Sequence, residues 1–325
     1  MGARALKFAL VGLAAVAVLV LPLLVDDRFL LKVLTYVGLN VIVVTGLSLL
    51  FGYAGQVSLG HAAFVGIGAY ACAVATKTYE LPWLAGLLLA AVLSAAGGLV
   101  LALPSLRLKG HYLAMATLGF GELMTLAFTE AEPVTGGVDG FTGIPFPSIG
   151  SFEFREPAAI YWLVWGIAIL ALVLAANLVS LRPGRAMKAL HGSELGAAAC
   201  GVDIVGVKVR TFVISAALAG ISGALYASAV GFVSPSLFTV STSVTFLAMA
   251  VIGGAGSLAG AVIAAVLLTL LQYIDALIPG LSREAAAVLQ EYQADVYGLA
   301  IVLVVMFAPG GLGSLLNRGR DGGAT

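Results

Sequence analysis

The chain contains 325 residues, of which 61% are hydrophobic and only 10% are charged. A soluble domain carries about 25% charged residues, so a water-soluble globular protein is excluded and the apolar excess is expected to face lipid. The formal net charge of +0 predicts no nucleic-acid or acidic partner.

Apolar runs divide the chain into about ten candidate membrane spans. A spanning helix needs about 20 mostly apolar residues, which predicts an all-α integral membrane protein with spans over residues 6–25, 32–51, 61–77, 83–104, 110–130, 159–181, 209–231, 243–255, 258–274 and 292–308. The first run follows Arg4 and Lys7 but has no clear cleavage site before Asp26. It is therefore interpreted as a retained helix rather than a signal peptide.

Lysine and arginine residues in the connections predict the orientation of the chain. With ten spans, the basic groups lie on one side, which the positive-inside rule assigns to the cytoplasm: Arg4 and Lys7, Arg107 and Lys109, Arg182 to Arg210, and Arg318 and Arg320. Both termini are therefore expected in the cytoplasm. The connection 131–158, rich in glycine and proline, lies on the opposite side. It is either a receptor-facing or gating loop or a plain ordered loop.

One long charged segment, from Arg182 to Arg210, separates five spans from the next five. Because five is an odd number, the two halves, at about 1–158 and 159–325, enter the membrane from opposite sides. They are predicted to be inverted halves of a single transmembrane domain, with interrupted helices.

Residues 52–61, GYAGQVSLGH, interrupt an apolar run with glycines and polar side chains. In lipid, an interrupted helix is tolerated only against protein or a water-filled cavity. Gln56, Ser58 and His61 are therefore candidates for lining a translocation path. Alternatively, the small residues only allow tight helix packing. A second interruption, residues 253–257, lacks strongly polar side chains and favours the packing interpretation.

Two further polar residues lie within predicted spans and are candidates for the path. Asn40 is in the second span and Glu122 is in the fifth, where a carboxylate is costly unless it is paired or hydrated. Alternatively, Asn40 joins two helices by a hydrogen bond, and Glu122 is a neutral, hydrogen-bonded structural group.

The charged segment also predicts a docking surface. Glu194 opens a stretch of helical spacing that ends near Gly201, which predicts a short helix followed by a turn. Such a helix fits a groove in a soluble partner or lies on the lipid surface.

Four stretches of the sequence, taken together, resemble the permeases of branched-chain amino acid ABC importers, specifically the LivM-type subunit. They are GLSLLFGYAGQVSLGHAAFVGIGAYACA, TGGVDGFTGIP, AMKALHGSELGAAACGVDIVGVKVRTFVISAALAGISGALYA and VIGGAGSLAGAVIAA. The resemblance implies a LivH-type permease that completes a heterodimer, two cytoplasmic ABC ATPases, and a periplasmic or lipid-anchored substrate-binding protein. It also implies a multi-pass protein of the bacterial plasma (inner) membrane.

The resemblance further implies that residues 182–208, the coupling segment, dock on the ATPases through their short helix. The coupling residues it implies are Glu194, Ala198, Gly201 and Asp203. The chain departs from the family pattern at Ala198, where a second acidic residue is frequent, and at His191-Gly192, where Arg-Glu is usual. These departures concern the detailed ATPase contact and not the docking role.

The predicted function is a non-enzymatic permease subunit of an ATP-driven importer, and the resemblance implies branched-chain amino acids as substrates. The sequence contains no GxxxxGK[ST] nucleotide-binding loop, so ATP and Mg are expected on the partner ATPases. No cofactor or metal is expected on this chain, because its three histidines lack ligand spacing. The alternatives are a related ABC permease for urea or short amides, and an ion-coupled secondary transporter.

Overall fold

The computed structural model describes residues 18–23, 27–105, 110–150 and 152–273, together with 292, 298–299, 302, 306 and 311–313. Its helices are α1 (Arg28–Leu47, continued by a π-helical turn, Ser48–Tyr53), α2 (His61–Lys77), α3 (Trp83–Ser105), α4 (His111–Glu130), α5 (Glu132–Thr135), α6 (Pro157–Ser180), α7 (Arg182–Gly192), α8 (Glu194–Ala199), α9 (Ile204–Val230), α10 (Val240–Gly253) and α11 (Leu258–Gln272). In this part of the chain, six helical stretches are long and apolar enough to cross a membrane. The protein is therefore an all-α, multi-pass membrane protein.

The predicted spans and the observed helices agree along most of the chain. Each predicted span from 32–51 to 258–274 overlaps one of the helices α1 to α4, α6 and α9 to α11. The predicted spans 6–25 and 292–308 lie largely outside the described residues. The total of ten spans and the inverted halves therefore stay predictions.

Helix α9 extends beyond the predicted span 209–231, because it begins at Ile204. The Asp203 side chain caps the helix by accepting a hydrogen bond from the backbone N–H of Gly206 at 3.0 Å. Lys208 lies inside the helix in spite of its charge, because its ammonium group is paired with Glu194. Hydropathy alone does not predict helix over residues 204–208. Capping by Asp203 and the ion pair of Lys208 stabilise this first part of α9.

Helix α9 is the centre of the described bundle and packs along α1, α2 and α3. The backbones approach so closely that glycines replace side chains at the contacts. A Cβ atom on Gly223 would overlap the backbone oxygen of Val65, and one on Gly68 would overlap Gly220. Small residues are typical of such contacts, because helices in lipid associate through close packing rather than through removal of apolar surface from water.

Short strands close one end of the bundle. β1 (Phe141–Thr142) pairs antiparallel with β4 (Phe232–Val233), and β2 (Ser148–Ile149) pairs with β3 (Phe152–Glu153). Lys77, at the end of α2, donates to the backbone oxygen of Thr142 at 2.5 Å. The connection 131–158 is therefore ordered over its described residues, and its receptor-facing role stays a prediction.

Candidate functional site

The interruption at residues 52–61 lies where the π-helical turn after α1 ends and α2 begins. The freed backbone groups of the interruption and of the first turn of α2 bond to side chains of other helices. The N–H of Leu59 donates to Thr117 Oγ1 at 2.9 Å, and the N–H of Ala62 donates to Ser243 Oγ at 2.9 Å. The interruption is therefore held by α4 and α10, as an interrupted helix within a membrane requires.

Two of the predicted path residues, Ser58 and His61, form a hydrogen-bonded group with Ser215 of α9. His61 Nδ1 lies 2.8 Å from Ser58 Oγ, and His61 Nε2 lies 2.7 Å from Ser215 Oγ. All three side chains are fully buried. A neutral imidazole has one donor and one acceptor, so the two hydroxyl groups satisfy it. The group links the interruption to α9, and a transported molecule reaches it only if the surrounding helices move.

Gln56 joins the interruption to the coupling segment. Its Nε2 atom donates to the backbone oxygen of Lys208 at 3.4 Å. The Lys208 ammonium group lies 2.6 Å from Glu194 Oε1, and the two side chains are 9% and 30% exposed. A nearly buried ammonium group requires such a partner. The ion pair therefore fastens α8 to the base of α9.

A second contact brings the interruption against α7. Gly55 has a φ of +68°, a conformation that favours glycine, and a Cβ atom there would lie 3.0 Å from His191 Nδ1. A cavity of about 240 Å³ lies beside this contact, and its described lining includes Gln56, Gly192, Ser193, Glu194 and Lys208. The His191-Gly192 departure from the family pattern therefore lies beside the interruption.

The short helix α8 is fixed on one side and exposed on the other. Ser193 caps it by accepting a backbone hydrogen bond at 3.1 Å, and Ala197 is buried. The Leu195 side chain is 82% exposed. The predicted coupling residues Ala198, Gly201 and Asp203 are also exposed, whereas Glu194 faces Lys208. An exposed leucine on a fixed helix suits both the groove of a partner and the lipid surface, so both interpretations fit this geometry.

Asn40 lines a cavity of about 300 Å³ between α1, α9, α10 and α11. Its Nδ2 atom donates to Thr269 Oγ1 at 2.8 Å. The other polar side chains of the described lining carry hydroxyl or amide groups: Tyr36, Ser222, Tyr226, Ser241, Thr242, Thr245, Gln272 and Tyr273. The described lining contains no charged side chain, and the rest of it is apolar, with Leu39, Val65, Leu237, Phe238 and Phe246. Asn40 therefore joins α1 to α11 and also faces a cavity, so both interpretations of this residue fit its geometry.

The predicted path residues occupy three separate places in this chain. Gln56, Ser58 and His61 lie at the interruption, and Asn40 lies at the 300 Å³ cavity. Glu122 is exposed on α4, away from the buried side of that helix. Within this chain, Glu122 therefore does not share a site with the other four residues.

Sequence reasoning did not identify Lys208 and Ser215 as site residues. The contact of Lys208 with Glu194 could have been predicted, because a short helix followed by a turn at Gly201 returns the chain towards Glu194. No sequence pattern distinguishes Ser215, since α9 contains other serines at positions 222 and 228.

The family-model match and the LivM and LivH relatives point to one family. The chain matches the family model described as branched-chain amino acid transport system / permease component over residues 29–314. It is 33% identical to the high-affinity branched-chain amino acid transport system permease protein LivM of Salmonella typhimurium, over 94% of this chain and 74% of that protein. It is 27% identical to the probable LivM protein of Methanocaldococcus jannaschii, over 86% of this chain and 92% of that protein. It is 24% identical to the high-affinity branched-chain amino acid transport system permease protein LivH of Salmonella typhimurium, over 83% of this chain and 90% of that protein.

No solved structure matches the chain. The match to the family model covers most of the sequence, and the similarity to LivM extends over nearly all of it. The chain therefore belongs to the family of branched-chain amino acid transport system permease components.

Proposed function

We propose that this chain is the LivM-type permease of an ATP-driven importer of branched-chain amino acids, and that it forms the translocation path with a LivH-type permease. The observation that carries the proposal is the fixed, exposed helix α8 in a chain of this permease family. Similarity to both LivM and LivH proteins supports a permease pair. The subunit lies in the bacterial inner membrane with both termini in the cytoplasm.

Two cytoplasmic ATPases bind the importer and hydrolyse ATP, so this subunit is not itself an enzyme. One ATPase receives α8 of this chain in a surface groove, with Leu195 as the apolar contact and Ala198, Gly201 and Asp203 around it. The exposure of Leu195 supports this role, because 82% exposure of a leucine outside the bundle leaves apolar surface for a partner.

Movement of α8 reaches the helices through the contacts at its base. The ion pair between Glu194 and Lys208 moves α9, and the hydrogen bond from Gln56 to Lys208 moves the interruption. The buried group of Ser58, His61 and Ser215 joins the same two elements. ATP binding thereby favours one arrangement of the interruption over another, and the coupling arises from this difference.

High affinity for the substrate belongs to a separate binding protein that docks at the end closed by the short strands. An amino acid carries two charged groups, and losing their hydration without charged partners is costly. The described lining of the 300 Å³ cavity carries hydroxyl and amide groups and no charge. Such a lining favours passage of the substrate over tight binding.

The experiment that tests the proposal is uptake of radiolabelled leucine by vesicles. The vesicles contain this chain, its candidate partner permease, the ATPases and the binding protein. We expect uptake that requires ATP and the binding protein, persists with an ionophore, and is reduced by unlabelled isoleucine but not by urea.

Two results would contradict the proposal in different ways. Uptake by this chain alone that an ionophore abolishes would make the protein an ion-coupled carrier. ATP-dependent uptake that urea inhibits and isoleucine does not would keep the transporter class and change the substrate.

A further inference from the structure

Helix α4 presents a face that the described part of the chain does not cover. Its buried residues lie along one side of the helix: Leu113, Thr117, Gly121 and Phe128. The opposite side carries Met115, Gly119, Glu122 and Leu126, which we call the Glu122 face. Met115 is 67% exposed and Leu126 is 56% exposed. A Cβ atom on Gly119 would meet no neighbouring atom within 4 Å among the described residues.

Glu122 lies near the middle of the membrane if α4 spans it. The helix has 20 residues, from His111 to Glu130, and a rise of about 1.5 Å per residue gives it a length of about 30 Å, the thickness of the hydrocarbon core. Within the described residues, Glu122 has no hydrogen-bond or ion-pair partner. A charged side chain that faces lipid at this depth is costly, so the Glu122 face requires protein or water against it.

The exposed faces of α3 and α6 differ from the Glu122 face. Neither helix contains an Asp, Glu, Lys or Arg residue. Helix α3 exposes Leu88, Val92 and Val100, and α6 exposes Leu170 and Leu174. These aliphatic faces suit lipid. The Glu122 face differs from them by its carboxylate. It also has an open glycine, as α6 does at Gly166, and such a glycine allows the backbone of another helix to approach closely.

We infer that the Glu122 face is the contact surface for the second permease, and that a helix of this partner supplies a hydrogen-bond donor or a cation to Glu122. The inference rests on the permease pair of the proposed function. A LivH-type chain is the partner because Salmonella typhimurium has both a LivM and a LivH permease protein of a high-affinity branched-chain amino acid transport system, and both are similar to this chain. The other side of α4 binds the interruption, through the hydrogen bond from Leu59 to Thr117. The contact therefore connects the partner to the interruption through α4.

The test is copurification of the candidate partner permease with a tagged form of this chain in a mild detergent. Gly119→Leu fills the open position on the Glu122 face. Gly166→Leu is the matched control, because a Cβ atom on Gly166 of α6, like one on Gly119, would meet no described neighbour within 4 Å. Neither leucine enters the described core, so both variants are expected to fold. We expect Gly119→Leu to reduce the recovered partner about tenfold and Gly166→Leu to leave it within about twofold.

A photoreactive residue identifies the partner on this surface. Placed at position 126, it is expected to form an adduct with the LivH-type chain, whereas the same residue at position 174 of α6 is expected to form none. Unchanged copurification with Gly119→Leu, or equal loss with both glycine variants, would overturn the assignment of this face. An adduct between two copies of this chain would overturn the choice of partner, and an adduct with lipid alone would overturn the interface.

Copurification depends neither on the substrate nor on ATP. An intact pair in vesicles that do not take up leucine therefore contradicts the proposed function and leaves the interface standing. Loss of the pair in Gly119→Leu supports the interface whether or not the vesicles take up leucine.

Discussion

At the scale of single residues, the ion pair between Lys208 and Glu194 sets the position of the coupling segment. Its ammonium group is nearly buried at the base of α9, while its carboxylate is 30% exposed. Partial hydration of the carboxylate makes the pair weaker than a fully buried one. The pair nevertheless gives α8 one preferred position relative to α9, which transmission of movement requires.

We predict that Lys208→Met separates ATPase binding from transport. The variant keeps the capped helix α8 but loses the ion pair that joins it to α9. Leucine uptake is expected to fall roughly tenfold, within the range of typical coupling free energies, while ATPase copurification is unchanged. Uptake and ATP hydrolysis are measured in the same vesicles. Lys208→Arg should retain uptake, and Arg210→Met, an exposed position on the same helix, serves as the control. Normal uptake per ATP hydrolysed in Lys208→Met would exclude the ion pair from the transmission route.

The sequence identified many site residues but not their partners. Ser58 and His61 lie in an interrupted apolar run, and this pattern alone predicts that they are candidates for the path. Ser215 bonds to His61 from the middle of α9, and nothing in the local sequence distinguishes it from other helix serines. Glu194 was predicted to belong to the coupling segment, but its contact with Lys208 depends on how α8 folds back.

At the scale of elements, direct backbone contact holds α9 to α2. Gly223 of α9 lies against the backbone oxygen of Val65, which has little freedom to move. A side chain at this position forces the two helices apart, and overpacking of this kind costs about 1–3 kcal/mol. The contact therefore limits which residues α9 tolerates here far more than hydropathy does.

We predict that Gly223→Ala lowers the thermal stability of the protein in detergent. The added methyl group would overlap the Val65 oxygen, and the expected loss is about 1–3 kcal/mol in the free energy of unfolding. Gly166→Ala, at an exposed helical position, should be neutral or slightly stabilising, because alanine is favoured over glycine in helices. The measurement is the fraction of monodisperse protein after heating. Equal transition temperatures for the two variants would show that α2 and α9 separate without cost.

Hydropathy predicted the long helices because a span of about 20 apolar residues is decided by the lipid environment alone. Other elements depend on contacts that hydropathy does not record. Helix α7 was not predicted, since it is stabilised by Met187 and Leu190 packing in a cluster that also contains Tyr53. The π-helical turn Ser48–Tyr53 changes only the hydrogen-bond register of an apolar run, so its sequence resembles that of the α-helix before it.

At the scale of the whole molecule, the two ends of the bundle differ in structure. One end is closed by the paired strands and the ordered connection 131–158. The other end carries α7, α8 and the interruption, with Leu195 exposed. This asymmetry suits a subunit that receives its substrate at one end and is driven by a partner from the other.

We predict that Leu195→Asp weakens ATPase binding without changing the permease itself. A carboxylate in an apolar groove of the partner loses hydration without a matching charge, so the ATPase recovered by copurification is expected to fall about tenfold. Thermal stability and recovery of the partner permease should stay unchanged, because Leu195 is 82% exposed in this chain. Val205→Asp is the matched control, since Val205 is 53% exposed at the same end but lies outside α8.

The outcomes of this experiment distinguish docking from a general effect of charge. Equal ATPase loss in both variants would mean that added negative charge at this end repels the ATPase regardless of position. Full ATPase recovery with Leu195→Asp would exclude α8 as the docking helix. Loss in Leu195→Asp alone, combined with retained binding in Lys208→Met, would divide the coupling segment into an outer side that binds the ATPase and an inner side that moves α9.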